Sequence, residues 1–386
     1  MKKLKSDLDL SLLDMKSTRI YQWTIVSAFV LLISACVNDP IGPIPYTATP
    51  LVIEKPLGLP PFEVNPLNPL TVEGVELGRN LFYDTILSAD NTLSCGGCHQ
   101  LAAGMTDDGN AVSVGIDGIS GTRNAMPIFN LHYNPSFGTT EGGLPFGGFF
   151  WDSRAASLEE QALQPIEDPI EMHNTLGEVV NRLQAHEEYP TMFSKAFGTT
   201  VISTDLIGKA IGQFERSIIS ADAPYDRYVN GLEFWDDDAF DGRIIFNDLL
   251  GGDCFHCHGE GGGLFTDYTY RNNGLDNYTK ASDFPDQGLM AISGDSADAG
   301  KFKVPTLRNL VYTAPYMHDG RFETLREVID FYSEGVHDTP FTDQFIEFAD
   351  VGGAQLSEEE KDQLEAFLIS LSDESFVNNP DYQDPF

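Results

Sequence analysis

Apolar residues recur at helical spacing through much of the chain. From Ser203 to Ile219 they return every three to four positions and predict an amphipathic helix. Leu364, Phe367, Leu368 and Leu371 share one face of a C-terminal helix and read as core. Ser357 with Glu360, and Thr324 with Glu327, have the spacing of capping boxes, in which side chain and backbone satisfy each other at a helix start. The glycines from Gly259 to Gly263 read as turns, since they lack the lysine and strand context of a phosphate loop. The fold class this predicts is mainly α.

The apolar run Ile25–Ile33 is too short to cross a membrane, which takes roughly 20 residues. Lys16 and Arg19 precede it, and Ser34-Ala35-Cys36 follow, as in a secretory signal. The ending Ile-Ser-Ala-Cys resembles a bacterial lipoprotein signal, with Cys36 lipidated to become the mature N-terminus. An ordinary secretory signal is the alternative. Residues 1–36 are read as signal, and 37–70, rich in proline, as an extended tether.

Charge narrows the partners. Lys plus Arg number 23 against 59 Asp plus Glu, a net charge of −36, which excludes a nucleic-acid binder and favours basic partners. At 41% hydrophobic residues the chain has material for a sizeable core, and 386 residues suggest two or three domains.

The five cysteines can be placed one by one. Cys95-Gly96-Gly97-Cys98-His99 and Cys254-Phe255-His256-Cys257-His258 are both C-x-x-C-H. This spacing puts two thiols on one face of a helical turn, ready to bond the two vinyl groups of a haem, and aims the next histidine at the iron. A zinc site would want further Cys or His in register. With Cys36 in the signal, none is left for a disulfide. His256 reads as a neighbour of the haem and not as an iron ligand.

Self-comparison reveals an internal repeat. Gly78-Arg79 and Phe82 precede the first motif as Gly242-Arg243 and Phe246 precede the second. Thr106-Asp107 pairs with Thr266-Asp267, Arg123-Asn124 with Arg308-Asn309, and Trp151-Asp152-Ser153-Arg154 with His318-Asp319-Gly320-Arg321. The reading is two cytochrome c-like haem domains related by duplication, over 71–225 and 226–386. In this register Tyr332 falls opposite Pro165. Tyrosine can coordinate iron and proline cannot, so the second haem would be held by His258 and Tyr332, with Met317 the rival ligand, while the first would have His99 and an open position.

These motifs resemble the bacterial di-haem cytochrome c peroxidase family and its MauG-like branch, from about Val72 to Leu371. The resemblance implies a peroxidatic first haem and a second haem that relays electrons, with Trp151 between them. It implies that Gln161 and Glu171 face the peroxide. It also implies calcium held by Asn124 and the carbonyls of Thr313 and Pro315. Two departures are notable: Gln100 to Asn124 contains no histidine to cap the first haem, and Gly252 stands where a MauG-type enzyme carries a surface tryptophan. The implied activity is hydrogen peroxide reduction with electrons from a small cytochrome c or cupredoxin. The alternatives are tryptophan oxidation on a partner protein and a plain di-haem electron carrier. The implied location is the periplasm-facing side of a membrane, through a lipid anchor only.

Overall fold

Two helix pairs built on the same contact form the frame. The computed structural model describes Tyr46 and residues 48–386; the signal reading, with Cys36, lies outside them. Helix α1 (Val72–Tyr83) crosses α7 (Thr204–Ser217), and α9 (Asp237–Asn247) crosses α13 (Glu358–Ile369). Each crossing needs a glycine. A Cβ on Gly78 would lie 1.9 Å from the Ala210 carbonyl, and one on Gly242 would lie 1.9 Å from that of Gln363. Phe214 and Phe367 pack beside the two glycines in turn.

The helix starts follow from their caps. Ser203 accepts from Leu206 N–H, Ser157 from Glu160 N–H and Thr324 from Glu327 N–H. Thr324 and Ser357 complete full capping boxes with Glu327 and Glu360. Between the frames lie α2 (Cys95–Cys98), α3 (Leu158–Gln161), α4 (Gln164–Glu167), α5 (Leu176–Ala185) and α6 (Tyr189–Phe197). The second half adds α8 (Pro224–Val229), α10 (Phe255–His258), α11 (Met290–Ser293), α12 (Leu325–Asp330) and α14 (Glu374–Val377). Strands are minor: β1 (Gly138–Thr139) pairs antiparallel with β2 (Pro145–Phe146), and β3 (Tyr270–Arg271) with β4 (Phe302–Lys303).

One core gathers Leu77, Leu81, Phe82, Phe193, Ile211 and Phe214; another gathers Phe246, Phe265, Leu364, Phe367, Leu368 and Leu371. The four C-terminal residues expected in the core are buried there.

Three sequence expectations need correction. Residues 48–70 are no free tether. Leu51 N–H donates to Leu70 O, Leu59 is buried, Phe62 stacks on His132, and buried Asn68 binds Glu159 and Gln213. Proline there shapes a strap across the body. The boundary at 225/226 falls inside α8, whose Tyr225 packs in the second core and whose Asp226 binds Arg308. The stretch 226–386 is not one piece either. After α13 the chain returns to the first half, where Phe376 joins the core beside Phe129 and Arg79 holds the carbonyls of Pro380 and Gln383.

Candidate functional site: two cavities beside the C-x-x-C-H turns

The two motifs have the same local architecture. His99 Nδ1 lies 3.0 Å from the Met105 carbonyl, and His258 Nδ1 lies 3.1 Å from that of Phe265. A carbonyl fixes Nδ1 as the protonated nitrogen, which leaves the Nε2 lone pair free. Burial lowers both imidazoles and keeps them neutral. Met105 and Phe265 both have positive φ, at 62° and 53°.

A cavity of about 860 Å³ opens at the first motif and one of about 250 Å³ at the second. Cys95, Cys98 and His99 line the first; Cys254, Cys257 and His258 line the second. All four thiols are free, and burial pushes Cys98 up to about 11 and both Cys254 and Cys257 up to about 12. Two thiols on one turn, beside a cavity and an imidazole with a free lone pair, fit a covalently held haem. Among the described residues no cluster of three His, Cys, Asp or Glu gathers as a metal site.

The residues expected to face the peroxide come together at the first cavity. Gln161, Pro165 and Glu171 all line it. Gln161 Oε1 is buried with no hydrogen-bond partner among the described residues. Burial, helped by Asp168 and opposed by Arg154, raises the Glu171 carboxyl above its ordinary value. The Glu171 carbonyl accepts from Ile116 N–H at 3.0 Å, so a turn pins its backbone.

In the second cavity Tyr332 and Met317 both line the wall, and Asn273 reaches both. Its amide donates to Tyr332 Oη at 3.0 Å and approaches Met317 Sδ at 3.7 Å. Tyr332 sits in a π-helical turn, Phe331–Gly335, that continues α12. Such a widened turn re-aims a side chain and often marks a functional position.

Trp151 and His318 line both cavities. Trp151 Nε1–H donates to the Asn124 carbonyl at 2.9 Å, and Asn124 N–H donates to the His318 carbonyl at 2.8 Å. Asn124 is thus tied to the 313–320 loop; its amide nitrogen is used by the carbonyls of Asn110 and Ala111. Thr313 is buried, and Pro315 follows a cis bond from Ala314. His256 lies 2.9 Å from Asp253 and stacks on Phe345, while His258 lines the second cavity.

The repeat register holds at Trp151 and His318. The bridge Phe149–Ala155 corresponds to Tyr316–Phe322, and the cap Ser157 to Thr324. It fails at Arg123-Asn124. The partner of Asn309 is Asn130: both have positive φ, each precedes a 3₁₀ turn, and their N–H groups bond Leu371 O and Ile218 O. The shared dipeptide was a coincidence of composition.

Two residues of the first cavity escaped sequence reading. Glu215, on α7, is 2% exposed with Oε2 unpartnered among the described residues. Burial, against the pull of Arg216, pushes it up to about 8. Pairing α7 with α13 would have exposed it, since Leu368 holds its place in the second half. Lys303, on β4, is 6% exposed and binds Asn134 Oδ1 and the Gly148 carbonyl. Burial pushes its ammonium down to about 7. No pattern in the sequence marks it.

Known proteins share this arrangement. Residues 72–233 match the model of the di-haem cytochrome c peroxidase family. The methylamine utilization protein MauG of Methylorubrum extorquens is 36% identical over 309 residues, 80% of each chain. The cytochrome-c peroxidase IdrP1 of Pseudomonas sp. strain SCT is 31% identical over 346 residues, 81% of this chain and 84% of that one. Among solved structures, a MauG-like protein associated with microbial copper homeostasis is 34% identical. It superposes with a TM-score of 0.75 over 87% of this chain and 99% of its own. With two C-x-x-C-H turns each facing its own cavity and relatives matched along most of their length, the chain belongs to the di-haem cytochrome c peroxidase and MauG family of oxidoreductases.

Proposed function

We propose that this protein reduces hydrogen peroxide at the first cavity and shares the resulting oxidising equivalents with the second. Cys95, Cys98 and His99 would hold one c-type haem, and Cys254, Cys257 and His258 the other. Haem supplies an iron that accepts peroxide and stores oxidising equivalents. One observation carries the reading: the first cavity presents Pro165 where the second presents Tyr332, and it adds Gln161 and Glu171 around that side.

In the first cavity Glu171 takes the proton from the near oxygen of peroxide and returns it to the far one, so that water leaves. Gln161 orients the ligand through its free Oε1. Trp151, walled by both cavities, is the short path between them. The plain electron carrier is disfavoured, because such a protein needs no carboxyl and amide around a ligand-free position. With no histidine between Gln100 and Asn124 to cap that position, the fully oxidised protein reacts with peroxide without prior reduction. Stopped-flow spectra of the oxidised holoprotein test this, and spectra left unchanged by peroxide would refute it.

His258 and Tyr332 are the proposed ligands of the second iron. Tyr332→Phe removes the oxygen and keeps the ring, so packing changes little. The low-spin EPR signal of the second haem is lost and its potential rises. If Met317→Leu abolishes that signal instead, and Tyr332→Phe leaves it, methionine is the ligand.

Calcium held by Asn124 and the Thr313 and Pro315 carbonyls, with waters completing the shell, would brace the contact between the 104–124 and 313–320 loops. Cys36 would carry the lipid anchor on the periplasmic side; no helix among the described residues is long and apolar enough to cross a membrane. The matched glycine crossings and histidine turns support descent of the halves from one duplicated haem domain. Electrons would come from a small cytochrome c or cupredoxin. The second reading, oxidation of tryptophan on a partner protein, is supported by Tyr332 and by the likeness to MauG-like proteins.

A further inference from the structure

An aromatic chain runs from the second cavity to the surface through residues the proposed reaction does not use. Phe246 lines the cavity, and its ring lies 5.0 Å from Phe367 and 6.2 Å from Phe265. Phe265 also carries the carbonyl that holds His258. Tyr225 stands edge-on to Phe265 at 4.9 Å. Trp235 meets Tyr225 and Phe367, each at 5.8 Å, and stacks on Tyr228 at 4.4 Å with planes 12° apart. Of these rings only Tyr225, Trp235 and Tyr228 are readily oxidised.

The surroundings suit that chemistry. Tyr225 O–H donates to Glu260 Oε2 at 3.1 Å, so its proton has an acceptor in place. Glu260 is held in place for this by Arg243, which donates to both its oxygens, and by Asn247, which donates to Oε1. Trp235 Nε1 is buried without a partner among the described residues. At the outer end Leu232 and Phe234 are 69% and 99% exposed. Glu233, Asp236, Asp237 and Asp238 flank them and are exposed too. An apolar centre with an acidic border matches a protein whose contact face is apolar with a lysine rim.

We propose that Tyr228, Trp235 and Tyr225 form the route by which a protein partner with a basic contact face delivers electrons to the second cavity. The inference rests on the peroxidase reading, which supplies the oxidant. Tyr225 gives one electron toward the cavity and its phenolic proton to Glu260. An electron from the partner, passing Tyr228 and Trp235, restores Tyr225, and the proton returns. Two such transfers and two protons convert one hydrogen peroxide to two waters and leave two partner molecules oxidised by one electron each.

The test has two arms on the full holoprotein. In the first, peroxide is added without a partner, radicals are trapped for EPR, and oxidised side chains are mapped by peptide mass spectrometry. Marks are expected on Trp235 and Tyr228. In the second, electron uptake from a reduced basic cytochrome c is followed after peroxide. Trp235→Phe, which keeps a ring in the stack, loses the fast phase of that uptake; Tyr228→Phe is the alternative should it fold poorly. Replacing Glu233, Asp236, Asp237 and Asp238 by their amides slows association about tenfold at low salt and flattens its salt dependence. If peroxide is not consumed at all, the peroxidase reading fails and the route fails with it. If peroxide is consumed but Trp235→Phe keeps the fast phase, or the marks lie elsewhere, the route alone is overturned.

Discussion

Glu171→Gln lowers peroxide turnover by about 10²–10⁴-fold, the usual worth of a positioned acid–base group. The amide fills the same volume and cannot move a proton, so the first cavity keeps its shape. The loss therefore appears in the rate of peroxide cleavage, with peroxide binding little changed. The acid limb of the pH profile gives a second readout. Burial raises the Glu171 carboxyl, so it stays protonated to a higher pH than a surface glutamate. Taking the first proton from peroxide needs the ionised form. Activity must then fall as pH drops through that raised value, and Glu171→Gln must remove this limb. Glu171→Asp retracts the carboxyl by one methylene on a backbone pinned by Ile116, and it should restore only part of the rate. A Gln variant with wild-type cleavage and an unchanged acid limb would place the acid–base group elsewhere, with Glu215 the next residue to test.

Asp226→Ala destabilises the protein by about 3–5 kcal/mol, the cost of leaving one charge of a buried pair alone. Both side chains of the Asp226–Arg308 pair are 0% exposed. The pair is bidentate, at 2.6 and 2.9 Å, and Arg308 Nε also donates to the Gly263 carbonyl. Asp226 accepts from Ala223 N–H as well, so the substitution strands a second donor. The ion pair joins α8 to the segment after β4, where Arg308 follows Leu307 of the cavity wall, and Arg308 Nε ties both to the glycine loop after the second C-x-x-C-H turn. The denaturant midpoint of the holoprotein should fall, and the second haem should become easier to perturb than the first. The double variant Asp226→Leu/Arg308→Met removes both charges and should recover much of the loss, because well-packed apolar groups replace such pairs at little cost. A single variant with an unshifted midpoint would show that water reaches the pair.

The halves of the chain also show how far local signals reach. Thr324 and Ser357 announced their helices because a cap is a contact between residues three positions apart. The C-x-x-C-H turns were legible for the same reason, as was the matched neighbourhood of Trp151 and His318, where the same bridge and helix cap recur. The pairing of Arg123-Asn124 with Arg308-Asn309 misled, because the loops between differ in length and a dipeptide carries too little information to fix register. Pro-rich residues 48–70 read as a tether because proline signals an extended chain without saying what it lies against.

The sequence alone already carried the helical class and the two cysteine-histidine turns, since each is written in residue type at fixed short spacing. Only the tertiary structure decided which side chains share a cavity. It sent Lys303 from the second half into the first cavity, buried Glu215 where the other half has leucine, and carried Phe376 back to the first core. It also set Trp235 on Tyr228 at the end of an aromatic chain. Burial and long-range contact depend on how helices cross, and that is fixed by packing among residues distant in sequence, such as Gly78 against Ala210 and Gly242 against Gln363.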